Sequence, residues 1–154
     1  MDMVLSAIYV AGPVLRSEVD RRLPIGSLYT ELETVAKAHG VQIALPAYSA
    51  WLDSLTAPVF TEEIRNRIRK ADAMIAVIVR PTSPYEFSGY SIAVEAQEAN
   101  VAGKPIALLV EDKHVALPRL LTALSHDQTY AFDDPGSLNR IFDYLVLEIK
   151  HRTR

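Results

Sequence analysis

The sequence predicts a three-layer α/β fold with a five-stranded, mostly parallel sheet and helices on both faces. Short apolar runs alternate with amphipathic stretches along the chain, and strands connected by helices pair in parallel. Two of the runs, residues 73–79 and 106–110, are continuously apolar, as strands covered on both faces must be. Because no repeat or change of composition divides the 154 residues, we expect one domain over residues 1–154.

The first part of the chain predicts two strands separated by a helix. Glycine and proline end the strands, and a serine at the helix start is a good N-cap. The predicted elements are a strand over 7–11, a helix from Ser27 to about Gly40, a strand over 41–45 and a long loop over 46–59. A loop of that length in a small domain is usually a lid or a binding loop.

The second part of the chain continues the alternation with four helices and three strands. The predicted elements are a helix capped by Thr61, a strand over 73–79, a helix over 91–102, a strand over 106–110, a helix over 117–124, a strand over 129–132 and a helix over 137–150. Within the helix capped by Thr61, the charged run from Arg65 to Lys70 is predicted to be a solvated face.

Composition excludes several classes of function. With 16 Lys and Arg against 19 Asp and Glu, the chain is not expected to bind nucleic acid or an anionic membrane. The absence of cysteine removes disulfides and thiol nucleophiles, and it suits the reducing cytoplasm, where we expect the protein. No apolar run is long enough to span a membrane, and the four histidines lack the spacing of metal ligands. The composition does not exclude metal catalysis, but it implies no metal.

The familiar nucleotide motifs are absent. No GxGxxG follows the first strand, and neither a GxxxxGK[ST] loop nor a GxSxG elbow occurs. In an open parallel sheet, ligands bind at the carboxyl ends of the strands. Candidate site residues are therefore sought after each strand, at 9–16, 46–58, 80–95 and 111–117.

Glu95 is the leading candidate for chemistry. It interrupts the apolar stretch Ile92–Ala96 at the start of a helix that follows a central strand. A carboxylate there can be desolvated enough to be nucleophilic while the helix N-terminus favours its charge. Small residues at Ser91 and Ala93 would let a ligand ring approach the backbone. The alternative is that Glu95 is a surface residue that complements the helix dipole.

Other candidates carry two interpretations each. Tyr9 lies either in the core or in the site, and Arg16 binds a phosphate or is one of several solvated charges. Trp51 either stacks on a base or packs beneath its loop. Asp72 is expected to be structural, at the end of a helix and the start of a strand.

Four segments together resemble the nucleoside 2-deoxyribosyltransferase superfamily, which includes the 2′-deoxynucleoside 5′-phosphate N-hydrolases. The likeness rests on their order and spacing over residues 7 to about 148. The segments are Tyr9-Val10-Ala11-Gly12-Pro13, Ala71-Asp72, Ser91-Ile92-Ala93-Val94-Glu95 and Gly103-Lys104-Pro105.

The resemblance implies a flavodoxin-like homodimer or higher oligomer that cleaves the N-glycosidic bond of a nucleoside or nucleoside 5′-monophosphate. It implies that Glu95 attacks the anomeric carbon and that Tyr9 positions the carboxylate. Gly12, followed by Pro13, falls in the loop that in the hydrolase branch lies against the 5′-phosphate. Such an enzyme needs only a small-molecule substrate and no cofactor.

The chain departs from the superfamily at two carboxylates. The transferases carry an aspartate six residues before the catalytic glutamate, where this chain has Gly89, so Ser88 or Ser91 would take over its sugar contact. A second aspartate, used in handling the base, is replaced here by Ile64, beside which stands Glu63.

These departures favour hydrolysis and leave three alternatives open. The first is base exchange by a deoxyribosyltransferase, and the second is a non-catalytic nucleotide-binding or sensor module. The third is an NAD-cleaving domain, against which the missing aromatic and cysteine context of the glutamate counts.

Overall fold

The computed structural model describes residues 6–14, 24–46, 50–79, 89–115 and 117–152, with the backbone alone at residues 24 and 89–91. These residues form five strands and six helices, which alternate as predicted except where two helices follow the second strand. The strands are β1 (Ser6–Ala11), β2 (Val41–Ala44), β3 (Ala73–Ile78), β4 (Ile106–Val110) and β5 (Thr129–Ala131). The helices are α1 (Pro24–Ala38), α2 (Ala50–Ser54), α3 (Ala57–Lys70), α4 (Gly89–Val101), α5 (Arg119–Leu124) and α6 (Ser137–Arg152).

The five strands form one sheet in the order β2-β1-β3-β4-β5, and every neighbouring pair is parallel. This is the doubly wound, flavodoxin-like order, which confirms the predicted fold class. The chain reverses its direction of winding between β1 and β3, and a crevice opens there at the carboxyl ends of the strands.

Side chains that alternate along the strands feed two cores, one on each face of the sheet. On β3, Ile75 and Val77 pack with α1 and α6, whereas Met74 and Ala76 pack with α3, α4 and α5. All six residues of β3 are buried, because helices cover both of its faces. Tyr9 on β1 packs against the α3, α4 and α5 core.

The predicted loop over 46–59 is wrong in part. Residues 50–54 form α2, and α3 begins at Ala57 instead of at Thr61. Thr56 is the residue before the helix, and Pro58 fits its first turn because the N–H that proline lacks has no intrahelical partner there. Thr61 therefore lies inside the helix, where its hydroxyl donates to the Ala57 carbonyl at 2.8 Å.

Smaller differences concern helix and strand ends. The helix predicted from Ser27 begins at Pro24, again with proline in the first turn. The C-terminal end of α1 is as predicted, with Gly40 at a positive φ of 66° just beyond the helix. Among the described helices, none is long and apolar enough to cross a membrane.

Candidate active site

The site is organised by Tyr9, near the carboxyl end of β1. Its backbone lies between Ala44 of β2 and Met74 of β3, so it stands beside the reversal point of the sheet. Alternation along the strand directs Ile8 and Val10 to the α1 and α6 side and Tyr9 to the opposite side. The phenol therefore projects toward α3 and α4.

The hydroxyl of Tyr9 donates a hydrogen bond of 2.6 Å to Oε2 of Glu95 on α4. Glu95 lies in the second turn of that helix and is partly buried. The interpretation of Glu95 as a solvated residue that only complements the helix dipole is therefore wrong. Tyr9 packs against the core, as one of its two interpretations expected, and it also bonds the carboxylate. Its role in a site stays a prediction.

Burial and the hydrogen bond act in opposite directions on Glu95. Desolvation raises the pKa of its carboxyl above the ordinary value, and the bond from Tyr9 lowers it again in part. Burial, the charge of Glu95 and the hydrogen bond all raise the pKa of Tyr9, which the charge of Arg67 lowers. Tyr9 therefore remains a neutral donor over the range in which Glu95 titrates.

Tyr9 and Glu95 line a cavity of about 800 Å³ between β1, β2 and helices α2, α3 and α4. Much of its wall is apolar, with Phe60 of α3 and Leu52 of α2 among its lining residues. A concave, mostly apolar space with a few convergent polar groups is the usual form of a small-molecule site. The volume suits a ligand of nucleotide size.

The charged run on α3 is only partly a solvated face, which corrects the sequence prediction. Arg65, Arg67 and Lys70 line the cavity. Nε of Arg65 donates to Oε1 of Glu98 at 2.9 Å, and Glu98 stands one turn beyond Glu95 on the same cavity wall.

Glu63 does not lie in the cavity wall. Its Oε1 accepts a 3.0 Å hydrogen bond from Nε of Arg67, four residues later on α3. Ile64 is the neighbour that lines the cavity. Since successive helix residues point about 100° apart, Glu63 reaches the site only through Arg67.

Gly12 lines the cavity just after β1, and its surroundings leave no space for a side chain. A Cβ added there would lie 2.7 Å from Oη of Tyr29 and 3.0 Å from Cβ of Val77. The Tyr29 hydroxyl donates a buried hydrogen bond of 2.7 Å to the carbonyl of Pro13. Gly12 thus lies in the cavity wall, whereas Pro13, also predicted to contact the substrate, is buried and is not one of the lining residues.

The remaining predicted contacts are only partly described. Arg16 and Ser88 lie outside the described residues. Gly89 and Ser91 lie in the first turn of α4, the helix that carries Glu95 in its second turn.

Two further predictions can be compared with the structure. Asp72 is structural, as expected: its Oδ2 accepts from the Ala7 N–H at 2.8 Å, and its own N–H donates to the Ala7 carbonyl at 2.7 Å. Trp51 is 55% exposed, so its predicted packing beneath the loop is wrong. It does not line the cavity, so stacking on a base there has no support either. Within the described ranges, no group of three or more His, Asp or Glu could hold a metal ion.

Arg65, Arg67 and Glu98 were not predicted as residues of this wall. One signal was present in the sequence. Glu98 follows Glu95 by three residues, and Arg67 follows Ile64 by three, so each pair shares one helix face. Which face turns toward the cavity depends on how α3 and α4 pack on the sheet.

No protein-family model matches the sequence, and no curated protein matches it either. Solved structures do share the fold. The 2-deoxyribosyltransferase of Bacillus psychrosaccharolyticus matches 94% of this chain and 96% of its own length, with a TM-score of 0.59 and 15% identity. The CMP N-glycosidase BcmB of Clostridium botulinum matches 91% of this chain and 100% of its own, with a TM-score of 0.58 and 16% identity.

A third structure with this fold is the 2-deoxyribosyltransferase of Leishmania mexicana. It matches 90% of this chain and 98% of its own length, with a TM-score of 0.55 and 18% identity. The three neighbours are thus two 2-deoxyribosyltransferases and one CMP N-glycosidase. The resemblance stated from the sequence is therefore confirmed as a likeness of fold.

Proposed function

We propose that this protein is an N-glycosidase that cleaves the bond between base and sugar of a nucleoside or nucleoside 5′-monophosphate. The observation that carries the proposal is the 2.6 Å hydrogen bond between Tyr9 and Glu95 in the wall of a nucleotide-sized cavity. Fold neighbours that transfer deoxyribose or cleave CMP support the same class of bond.

In the proposed reaction Tyr9 holds Oε2 of Glu95, and Oε1 attacks the anomeric carbon. The C–N bond breaks, the base leaves with the electron pair, and the sugar becomes esterified to Glu95. Water then attacks the anomeric carbon, which releases the free sugar and restores the carboxylate, and the proton that this water loses balances the one that the departed base takes up. Positive charge that develops on the sugar in each transition state is stabilised by the carboxylate, as in retaining glycosidases.

The burial of Glu95 supports its role as nucleophile. A carboxylate that is partly removed from water has fewer hydration contacts to lose on attack, and its raised pKa indicates that desolvation. The hydrogen bond from Tyr9 favours the ionised form of the Glu95 carboxylate and fixes the direction in which its Oε1 points. The proposed contacts to the sugar or its phosphate come from Gly12 in the cavity wall and from Gly89 and Ser91 in the first turn of α4. Ser88, which precedes that turn in the sequence, is a further candidate.

The test is an incubation of the purified protein with ribo- and deoxyribonucleosides and their 5′-monophosphates, followed by chromatography of the released base. We expect release from one substrate class, and no detectable release by Glu95→Ala. Gln97→Ala, an exposed change on the same helix, is the matched control and should retain activity. Ligand binding by the wild type without release of any base would overturn the enzymatic proposal in favour of a binding module.

The products distinguish hydrolysis from transfer. Free sugar, or sugar phosphate, without any added base indicates hydrolysis. A new nucleoside that forms only when an acceptor base is supplied would indicate base exchange instead.

A further inference from the structure

Arg67 is held at the cavity wall by a tether that leaves most of its donors available. Its Nε is bonded to Glu63 at 3.0 Å, one helical turn back. A guanidinium carries five N–H donors, of which Nε supplies only one. Within the part of the chain that the structure describes, Nη1 and Nη2 of Arg67 make no hydrogen bond or ion pair.

Arg67 lines the same cavity as Tyr9 and Glu95. The charge of Arg67 lowers the pKa of Tyr9, so it acts on the oxygen that bonds Glu95. A ligand whose anomeric carbon is presented to Glu95 therefore occupies a cavity that Arg67 also lines.

The two free NH₂ groups form a planar fork that suits two adjacent acceptor atoms. Guanine offers such a pair at O6 and N7, and an arginine commonly binds it in that way. Cytosine offers a pair at O2 and N3. Uracil and thymine place an N–H between their carbonyls, and adenine places an amino donor beside N7, so none of the three matches the fork.

We propose that Arg67 selects the base of the substrate and favours cytosine or guanine, the bases with two adjacent acceptors, over uracil, thymine and adenine. This inference rests on the proposed function of the site. The same contact helps departure of the base, because the electron pair of the broken C–N bond is delocalised onto ring acceptors that face a fixed cation.

Arg65 provides a matched comparison on the same helix. It also lines the cavity and is also tethered through Nε, in its case to Glu98. Its Nη1 lies 4.0 Å from Oε2 of Glu62, so two carboxylates surround it. Arg65 is therefore committed to joining α3 and α4 and is not expected to select the base.

The experiment measures base release from cytidine, uridine, guanosine and adenosine, from their 5′-monophosphates, and from the deoxy forms of both. We expect the wild type to release cytosine or guanine faster than uracil or adenine by roughly 10- to 100-fold, the discrimination of one bidentate contact. Arg67→Gln should abolish this preference, and Arg65→Gln should keep it. Arg67→Lys should restore part of the rate without the preference, because lysine supplies the charge but no planar fork. Faster release of guanine would indicate that Arg67 binds O6 and N7, and faster release of cytosine that it binds O2 and N3.

Two results would overturn base selection by Arg67: a wild-type preference for uracil or adenine, or a preference that survives in a folded Arg67→Gln variant. Base release in either case would still support the proposed function. If the wild type releases no base, the proposed function fails, and thermal melting with the same nucleotides decides about Arg67. Larger melting shifts with cytosine or guanine nucleotides that vanish in Arg67→Gln support base selection. Equal shifts, or none, overturn it.

Discussion

The phenolic oxygen of Tyr9 and the carboxylate of Glu95 are 2.6 Å apart, although 86 residues separate them along the chain. Parallel pairing of β1 with β3 produces this meeting, because it places α4, which follows β3, beside the carboxyl end of β1. The result is a partly desolvated carboxylate held by one neutral donor. In the proposed mechanism, this arrangement makes Glu95 reactive and keeps it oriented.

Tyr9→Phe tests the role of this hydrogen bond. The bond lowers the pKa of Glu95, so its loss raises that pKa, and the reaction needs the ionised carboxylate. The acidic limb of the pH–rate profile should therefore move to higher pH. The rate on the plateau should fall by about 10- to 100-fold, since a hydrogen bond to a charged group contributes ~1.5–3 kcal/mol. An acidic limb in the same position as in the wild type would contradict this role.

Glu95→Gln should stabilise the fold at neutral pH. Because burial raises the pKa of Glu95 in the folded chain, the folded state binds more protons than the unfolded state between the two pKa values, and stability falls as pH rises through that window. Glutamine has no charge to desolvate and still accepts the Tyr9 bond. Thermal melting should show a larger gain at pH 8 than at pH 4. Glu31→Gln, at an exposed position, is the control, and an equal gain from both variants at both pH values would refute the prediction.

Gly12→Ala should destabilise the protein without any ligand present. Its Cβ would approach Oη of Tyr29 to 2.7 Å and Cβ of Val77 to 3.0 Å, and such overpacking costs about 1–3 kcal/mol. Chemical denaturation would measure the loss. In Gly12→Ala combined with Tyr29→Phe, the oxygen that is contacted is gone, so the double variant should be more stable than the sum of the single effects by about 0.5 kcal/mol or more. If the stability losses of the two single variants simply add in the double variant, the added Cβ does not clash with the Tyr29 hydroxyl.

Asp72→Ala should reduce stability while the folded protein keeps its turnover. The change removes the acceptor of the partly buried Ala7 N–H at 2.8 Å, and the loss should lie toward the lower end of the range of about 1–3 kcal/mol that an unsatisfied buried donor costs. Asp72→Asn retains a side-chain carbonyl and should lose less. Denaturation and activity measured on the same samples separate the two effects. Loss of turnover in a fully stable Asp72→Asn protein would show that the residue takes part in the chemistry.

The order of strands and helices was readable from local chemistry. The runs at 73–79 and 106–110 predicted central strands because only a strand covered on both faces can be apolar throughout, and they are β3 and β4. The helix boundaries were less certain where proline stood in a first turn. At Pro24 and Pro58 the chain begins its helix earlier than the capping residues Ser27 and Thr61 suggested.

The sequence by itself determined the doubly wound architecture and the structural place of Asp72, since both follow from apolar patterning. It also made Glu95 the candidate nucleophile, through one carboxylate set in an apolar stretch and the resemblance to the deoxyribosyltransferase superfamily. Only the tertiary structure decided which partners Glu95 and its neighbours have. The hydrogen bond from Tyr9 depends on how α3 and α4 rotate as they pack on the sheet. The same rotation turns Arg67 toward the cavity and Glu63 away from it. That rotation is set by Ile68, Ile92 and the strand side chains they meet, contacts between residues far apart in the chain, which no local pattern encodes.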